Sequence, residues 1–402
     1  MSLAAATASW VWCGPGRLRQ ELWVVAEAGR ITGLAGRPPA GARRLELGQG
    51  LLLPGLVNAH THLELSFLQG LVPRPAGDFL AWVEGLVGSR PGYDRERAKS
   101  AARRAAEQAA ETGTALAGDI TNTGRAAWAW QEAGVGAVSF TEAVGPARSQ
   151  PQPPELAWPG GVLAARGVAA HAPYSVPAGR LRELKRLADT GRPPLSIHCA
   201  ESRAEAELFA GQGPEGERMA AFLGLRGLRA RELGLAGPTP LAHLLGLGVV
   251  DEGTLLVHGV QLGREEIGQV AASGASLCMC PRSNLGLTGA MADAPALLAA
   301  GVNLCLGTDS LASAPDLDLW AEMRALLAAH PELDPEAVLA MATAGGARAL
   351  GLEEHFGALA PGKVAALCFA PAPGAGRGQV LESAIAHGGG RVGLQGRPGC
   401  DG

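Results

Sequence analysis

Leu52-Leu-Pro-Gly-Leu-Val-Asn-Ala-His60-Thr-His62 is apolar for most of its length and then stops in two histidines separated by one residue. On an extended strand, residues i and i+2 project to the same face, so His60 and His62 aim two imidazoles at one point. Two solvated loop histidines would carry the same spelling. The choice between these readings rests on whether the rest of the chain repeats the pattern of an apolar run closed by a polar residue.

It does. Apolar runs of similar length recur at 115–121, 136–143, 168–173, 195–200, 255–260, 275–280 and 303–307, and with 52–59 they make eight. Helical stretches lie between them, including 94–111, 180–189, 265–272 and 316–330. Strand and helix in alternation signify βα units and a parallel sheet. Eight such units closing on themselves predict a (β/α)₈ TIM barrel, an α/β fold that carries its chemistry on the loops after the strands. Residues 211–248 exceed a normal connection and read either as a lid or as a surface excursion. The first 53 residues are short strands broken by glycine and proline (10–13, 22–26, 31–34, 45–47), and strand-like runs return at 358–359 and 364–370. The expected organisation is a small β-sandwich built from both chain ends, 1–53 and 357–402, around a barrel of residues 54–356. The glycine-dense tail from Gly389 is expected to be partly disordered.

Composition narrows the partners. Apolar residues make up 47% of the 402 positions and the net charge is −4, so there is a core to bury and no basic excess for nucleic acid or a membrane surface. A small-molecule partner is expected instead. Seven cysteines without repeated spacing do not form a disulfide framework, and Cys278 and Cys280 read as packing rather than metal ligands. Cys199 is also expected to pack, pointing away from the site. With no basic leader and no long apolar span, a reduced cytoplasm is the expected location.

Polar residues close several of the runs: His198-Cys-Ala-Glu201 after the fifth, His258 after the sixth, and Asp309-Ser310 after the eighth. One histidine after an apolar run is commonly structural. Four histidines, a glutamate and an aspartate on one predicted rim point to a site. Imidazoles plus a carboxylate suit zinc or ferrous iron with a position left open for water, whose pKa a bound ion lowers towards about 7. A nearby carboxylate outside the ligand set can shuttle the proton.

His60-Thr-His62, His198, Glu201, His258 and Asp309 resemble the metal and proton-transfer set of the amidohydrolase superfamily. Within it they resemble the branch of cytosine, guanine and S-adenosylhomocysteine deaminases and triazine hydrolases. The resemblance covers nearly the whole chain, split β-sandwich included. It implies that His60, His62, His198 and Asp309 hold one divalent metal, zinc first and iron as the alternative. It implies that Glu201 protonates a ring nitrogen and passes protons to departing ammonia, that His258 hydrogen-bonds the hydrolytic water, and that Asp309 accepts its proton. Two-metal members usually bridge their ions with a carboxylated lysine on strand four. None of the three lysines ends an expected strand: Lys99 and Lys185 read as polar helix-face residues, and Lys363 lies beyond the barrel. One metal is expected.

The substrate contacts follow from spelling. His171-Ala-Pro-Tyr-Ser175 closes strand four, and His171 resembles a residue that faces the substrate in nucleoside deaminases. In Cys280-Pro-Arg-Ser-Asn284, Arg282 either pairs with a substrate carboxylate or makes a structural ion pair at the rim. Asn284 reads as tying down its own loop. Glu64 and Ser66, just past the histidine pair, either meet the substrate (Glu64 at ribose hydroxyls) or tether the following loop. Ser310 stands beside Asp309 as a further contact. Together these spellings look most like the aminodeoxyfutalosine deaminases of menaquinone biosynthesis, which replace the adenine 6-amino group by oxygen on a nucleoside bearing a benzoate. The resemblance makes Arg282 the benzoate contact. Also compatible are deamination of S-adenosylhomocysteine or methylthioadenosine, and hydrolysis of a triazine or imidazolone ring. A non-catalytic scaffold of this fold is disfavoured because every position of the set is filled. A homodimer would be common for this architecture.

Overall fold

The computed structural model describes residues 3–89, 94–145, 155–157 and 164–394. Eight parallel strands follow one another in sequence order: Leu56–Thr61, Thr114–Thr121, Gly136–Ala143, Ala164–Ala170, Leu195–Cys199, Thr254–His258, Ser276–Met279 and Asn303–Leu306. They are barrel strands one to eight below. A short strand, Glu155–Ala157, adds antiparallel to strand four. Strands one, two, five and six are buried at every residue, as parallel strands must be when helices cover one face and side chains fill the other.

The barrel closes where strand eight runs into strand one, through a parallel bridge between Thr61 and Asp309. The amides of Thr308 and Asp309 both donate to the His60 carbonyl at 3.1 Å, and the Thr61 hydroxyl donates to the Asp309 carbonyl at 2.9 Å. Gly307 permits this approach, because a Cβ there would lie 2.7 Å from the His60 oxygen. The (β/α)₈ expectation holds, with one boundary moved. The run 52–59 is two strands rather than one: Gly50–Pro54 pairs with Leu367–Pro371 in a small sheet, and the barrel begins at Leu56. Pro54, without an amide proton, and Gly55 mark the break.

Two small sheets flank the barrel. One holds Ala4–Thr7, Trp23–Glu27, Arg30–Ala35 and Arg43–Glu46; the other joins Trp10–Trp12, Leu18–Arg19 and Gly50–Pro54 to Leu367–Pro371 and Gly390–Val392. Ala6, Val24 and Ile31 of the first bury against Val11, Leu52 and Leu367 of the second. Both chain ends therefore meet in one sheet of the pair. Residues 358–359 form no strand, although Leu359 is buried, and the helix Val380–His387 went unanticipated. The tail starts in an ordered strand at Gly390–Val392, and its last eight residues, 395–402, lie outside the described residues.

A second apolar cluster sits at the catalytic end. Phe67, Phe79, Leu80 and Trp82 from the loop after strand one pack with Tyr174, Phe209, Met219, Leu223, Leu287 and Ala312 from later loops. Residues 211–248 fold as three helices, Pro214–Gly224, Ala230–Leu233 and Pro240–Gly246, and the first of them supplies Met219 and Leu223 to this cluster. Lys185 departs from expectation. Instead of a polar helix face it is buried, with its ammonium between Asp189 and Asp251. Among the described residues no helix is long and apolar enough to cross a membrane.

Candidate active site

Three ring nitrogens converge at the mouth of the barrel. His60 Nε2 lies 3.1 Å from His62 Nε2 and 3.2 Å from His198 Nε2. Asp309 Oδ1 approaches the same point, 3.6 Å from His62 Nε2 and 3.9 Å from His60 Nε2. Imidazole nitrogens this close must share either a proton or a cation between them. The edge of a tetrahedron with Zn–N distances of ~2.0–2.1 Å is about 3.3–3.4 Å, so spacing and donor types both fit a divalent ion. His198 Nδ1 donates to the His171 carbonyl at 2.5 Å, which fixes the tautomer and turns the Nε2 lone pair into the cluster. Burial first, then the neighbouring imidazoles, pushes the pKa of His198 well below its ordinary value. Burial and His62 do the same to His60. Both rings are therefore neutral, the form that ligates.

Asp309 is held from behind. The hydroxyls of Ser283 and Ser313 both donate to its Oδ2 at 2.7 Å, which leaves Oδ1 for the cluster. Burial would raise its pKa, but the imidazoles of His62, His258 and His60 outweigh that and hold it at about 2. Glu201 goes the other way. Burial, the carboxylate of Asp309 and that of Glu205 raise it well above the usual carboxylate range. Its Oε1 faces His258 Nε2 at 3.5 Å, and the Asn284 amide holds His258 Nδ1 at 3.0 Å. Burial lowers the His258 pKa to about 4, so that ring is neutral too. Two carboxyls a few ångströms apart with opposite shifts suit an acid and a base.

Three of these strand ends carry backbone strain. Ala200, His258 and Asp309 have φ of 54°, 77° and 56°, the left-handed region that L residues avoid at a cost of ~1–2 kcal/mol each. At Ala200 the cause is visible: the next amide, Glu201 N, donates to Glu205 Oε2 at 2.8 Å, and the amides of Ala200 and Ser202 point at the same carboxylate. Glu205 is wholly buried and thus holds the turn that aims Glu201. Glu205→Ala is expected to lower kcat roughly tenfold to a hundredfold, with metal content and fold retained, because the catalytic carboxyl loses its orientation. An unchanged kcat in the folded, metal-loaded variant would remove Glu205 from this role.

The proposed substrate contacts fare unevenly. His171 stays at the mouth, half-buried, with Nδ1 on the Ser175 hydroxyl at 2.6 Å and its ring 5.3 Å from that of His198. Arg282 turns away. Its Nε donates to Glu322 at 2.7 Å, its Nη2 to Asp316 at 2.6 Å, and its own amide to Glu322 at 2.9 Å. Nε and Nη2 are committed to an ion pair at the rim, the second of the two readings the sequence left open. Glu322 is fully buried, so Arg282→Ala would strand its charge. About 3–5 kcal/mol of stability is the expected loss, read in denaturant unfolding. A variant of intact stability and raised KM would instead make Arg282 a substrate contact.

Glu64 is likewise engaged: Thr121 Oγ1, Asn122 N, Thr123 N and Thr123 Oγ1 all donate to it, at 2.7, 2.8, 3.2 and 2.8 Å. It tethers the loop after strand two. Ser66 is buried within its own helical turn. Ser310 is buried and meets Ser313 at 3.1 Å, behind Asp309 rather than in front of it.

Several functional neighbours were invisible to motif reading. Asn284 orients His258 rather than tying its own loop, and Ser283 and Ser313 reach Asp309 from 26 and 4 residues away. Glu205 did leave a signal: Ser202-Arg-Ala-Glu205 has capping-box spacing, and Ser202 caps the helix Arg203–Ala210. Cys199, Cys278 and Cys280 are buried among apolar side chains, as expected.

Residues 51–372 match the amidohydrolase family. The chain is 33% identical over 373 residues to a 5-methylthioadenosine/S-adenosylhomocysteine deaminase of Moorella thermoacetica, covering 83% of this chain and 77% of the relative. It is 38% identical over 191 residues to an aminodeoxyfutalosine deaminase of Deinococcus radiodurans, covering 46% and 45%. An adenosine deaminase from Xanthomonas campestris with bound zinc superposes with a TM-score of 0.77 at 26% identity, over 96% of this chain and 89% of that one. The chain belongs to the amidohydrolase family. It is a hydrolase of carbon–nitrogen bonds, a family that typically uses a divalent metal, and the convergent cluster is the candidate site for one.

Proposed function

We propose that the protein is a zinc-dependent hydrolytic deaminase of an adenine nucleoside, with aminodeoxyfutalosine as its substrate and a place in menaquinone biosynthesis. The observation that carries the deaminase chemistry is geometric: Glu201, with Oε1 3.5 Å from His258 Nε2, and Asp309 flank the convergence of His60, His62 and His198. A divalent ion held by those three histidines and Asp309 supplies the Lewis acidity that makes water nucleophilic at neutral pH.

The residues divide the remaining work. Asp309 Oδ1, ionised and free of the serines, takes a proton from the attacking water. Glu201 delivers its own proton to the ring nitrogen next to C6 and is recharged as the proton moves on. Neutral His258, its plane set by Asn284, hydrogen-bonds the water. A C6–O bond forms and the C6–N bond breaks; one proton of the water ends on the ring nitrogen and the other leaves with ammonia. His171 stands where it can face the substrate ring.

The six described cysteines are all unpaired and buried, in keeping with a reducing cytoplasm. The Deinococcus relative supports aminodeoxyfutalosine over about half the chain, whereas the Moorella relative, aligned over far more of it, supports a second reading as a methylthioadenosine/S-adenosylhomocysteine deaminase. Ammonia release by zinc-loaded protein from aminodeoxyfutalosine, S-adenosylhomocysteine, methylthioadenosine and adenosine, with guanine and cytosine as controls, tests both. Preference for aminodeoxyfutalosine is the expected result. Silence on every adenine nucleoside would overturn the reading and redirect the search to triazine- and imidazolone-type rings.

A further inference from the structure

With Arg282 locked against Glu322 and Asp316, the charge of a substrate carboxylate needs another partner. A cavity of about 660 Å³ opens at the catalytic end of the barrel, between the loops after strands one and two and the start of the helix Arg95–Glu111. Three cations line it: Arg95, Lys99 and Arg125. Lys99 pairs with exposed Glu96, while the side chains of Arg95 and Arg125 have no acidic partner among the described residues. Among the described residues Glu64 is the one acidic residue in the lining, and four donors of the Thr121–Thr123 turn already occupy its carboxylate. The cavity is therefore electropositive, and Phe67 and Trp128 give it apolar walls.

Asn122 links its lining to the back of His198. That residue lines the cavity and donates through Nδ2 to Glu142 at 2.8 Å, and the other oxygen of Glu142 lies 3.9 Å from His198 Nδ1. Glu64, also in the lining, stands two residues beyond His62, so the cavity borders the loop that leaves the histidine pair.

We propose that this cavity receives the arm beyond the ribose, and that Arg95 and Arg125, with Lys99, pair with a carboxylate carried on an apolar or aromatic body. Guanidinium groups suit this, presenting paired donors that match a carboxylate. The same lining leaves no unengaged acidic group for an ammonium. An arm ending in a simple carboxylate is thus preferred over an α-amino acid, which carries both charges. This inference rests on the adenine-nucleoside reading and narrows its substrate class.

The test compares wild type with Arg125→Ala, Arg95→Ala and the double variant on substrates that differ only in the arm. For aminodeoxyfutalosine, kcat/KM is expected to fall tenfold to a hundredfold in the double variant, through KM, as for loss of hydrogen bonds to a charged group. Its wild-type KM is expected to rise with salt, since both arginines are exposed. Methylthioadenosine and adenosine, which have no carboxylate, should stay within about twofold, and S-adenosylhomocysteine should lose less than aminodeoxyfutalosine. Equal losses on all substrates, or no loss on aminodeoxyfutalosine, would overturn the cavity's role and leave the deaminase reading standing. Absence of turnover on every nucleoside by the wild type would overturn both.

Discussion

Glu201→Gln lowers kcat by ~10²-fold or more and leaves metal content intact: that is the expected result of removing a general acid–base group without changing its shape. The glutamine keeps the volume and can still accept from the surroundings of His258, but it has no titratable proton to deliver. Glu201 is placed for the role by three things. It is buried, it lies beside a carboxylate that stays ionised, and its backbone is clamped by Glu205. Metal analysis and steady-state kinetics on the same preparation decide the matter. A loss of only a few-fold with full metal would move proton transfer to another group.

Asp309→Asn is the second large effect. Asparagine tolerates the left-handed backbone that Asp309 adopts at φ 56°, and its amide oxygen can still accept from Ser283 or Ser313. The substitution therefore isolates the charge. Removing it takes a negative ligand from the cluster and the base from the water. Weaker metal retention is expected, together with a kcat reduced by about 10²–10⁴-fold in protein reloaded with excess zinc. Near wild-type turnover with metal bound would show that the water gives its proton elsewhere.

The barrel and the convergence of polar residues at its rim were legible in the sequence because both are written locally. Each strand is one apolar run, and each of those residues closes such a run, so order along the chain becomes position around the rim. What was illegible depends on side chains meeting across the barrel. Nothing local in Cys280-Pro-Arg-Ser-Asn284 says that Ser283 turns to Asp309, Asn284 to His258 and Arg282 outward to Glu322, because those partners lie 26, 26 and 40 residues away. Glu64 stayed ambiguous for the opposite reason: a carboxylate just past two histidines suits a substrate contact or a tether equally, and only the fold shows four donors from the next loop closing on it. The break at Pro54-Gly55 was missed because apolar residues run straight through it, and periodicity cannot separate two strands joined end to end.

The seam of the barrel has a consequence for assembly. His60 and His62 are made early, yet the carboxylate that completes their site arrives only after a further 247 residues have been synthesised, when Thr61 and Asp309 meet. An ion held by His60, His62 and Asp309 would straddle that joint as a clasp. Chelation should loosen the molecule along that line first. Hydrogen exchange in strands one and eight would report the opening, and at metal concentrations of ~100 times Kd the clasp would contribute about 2.7 kcal/mol to the closed form.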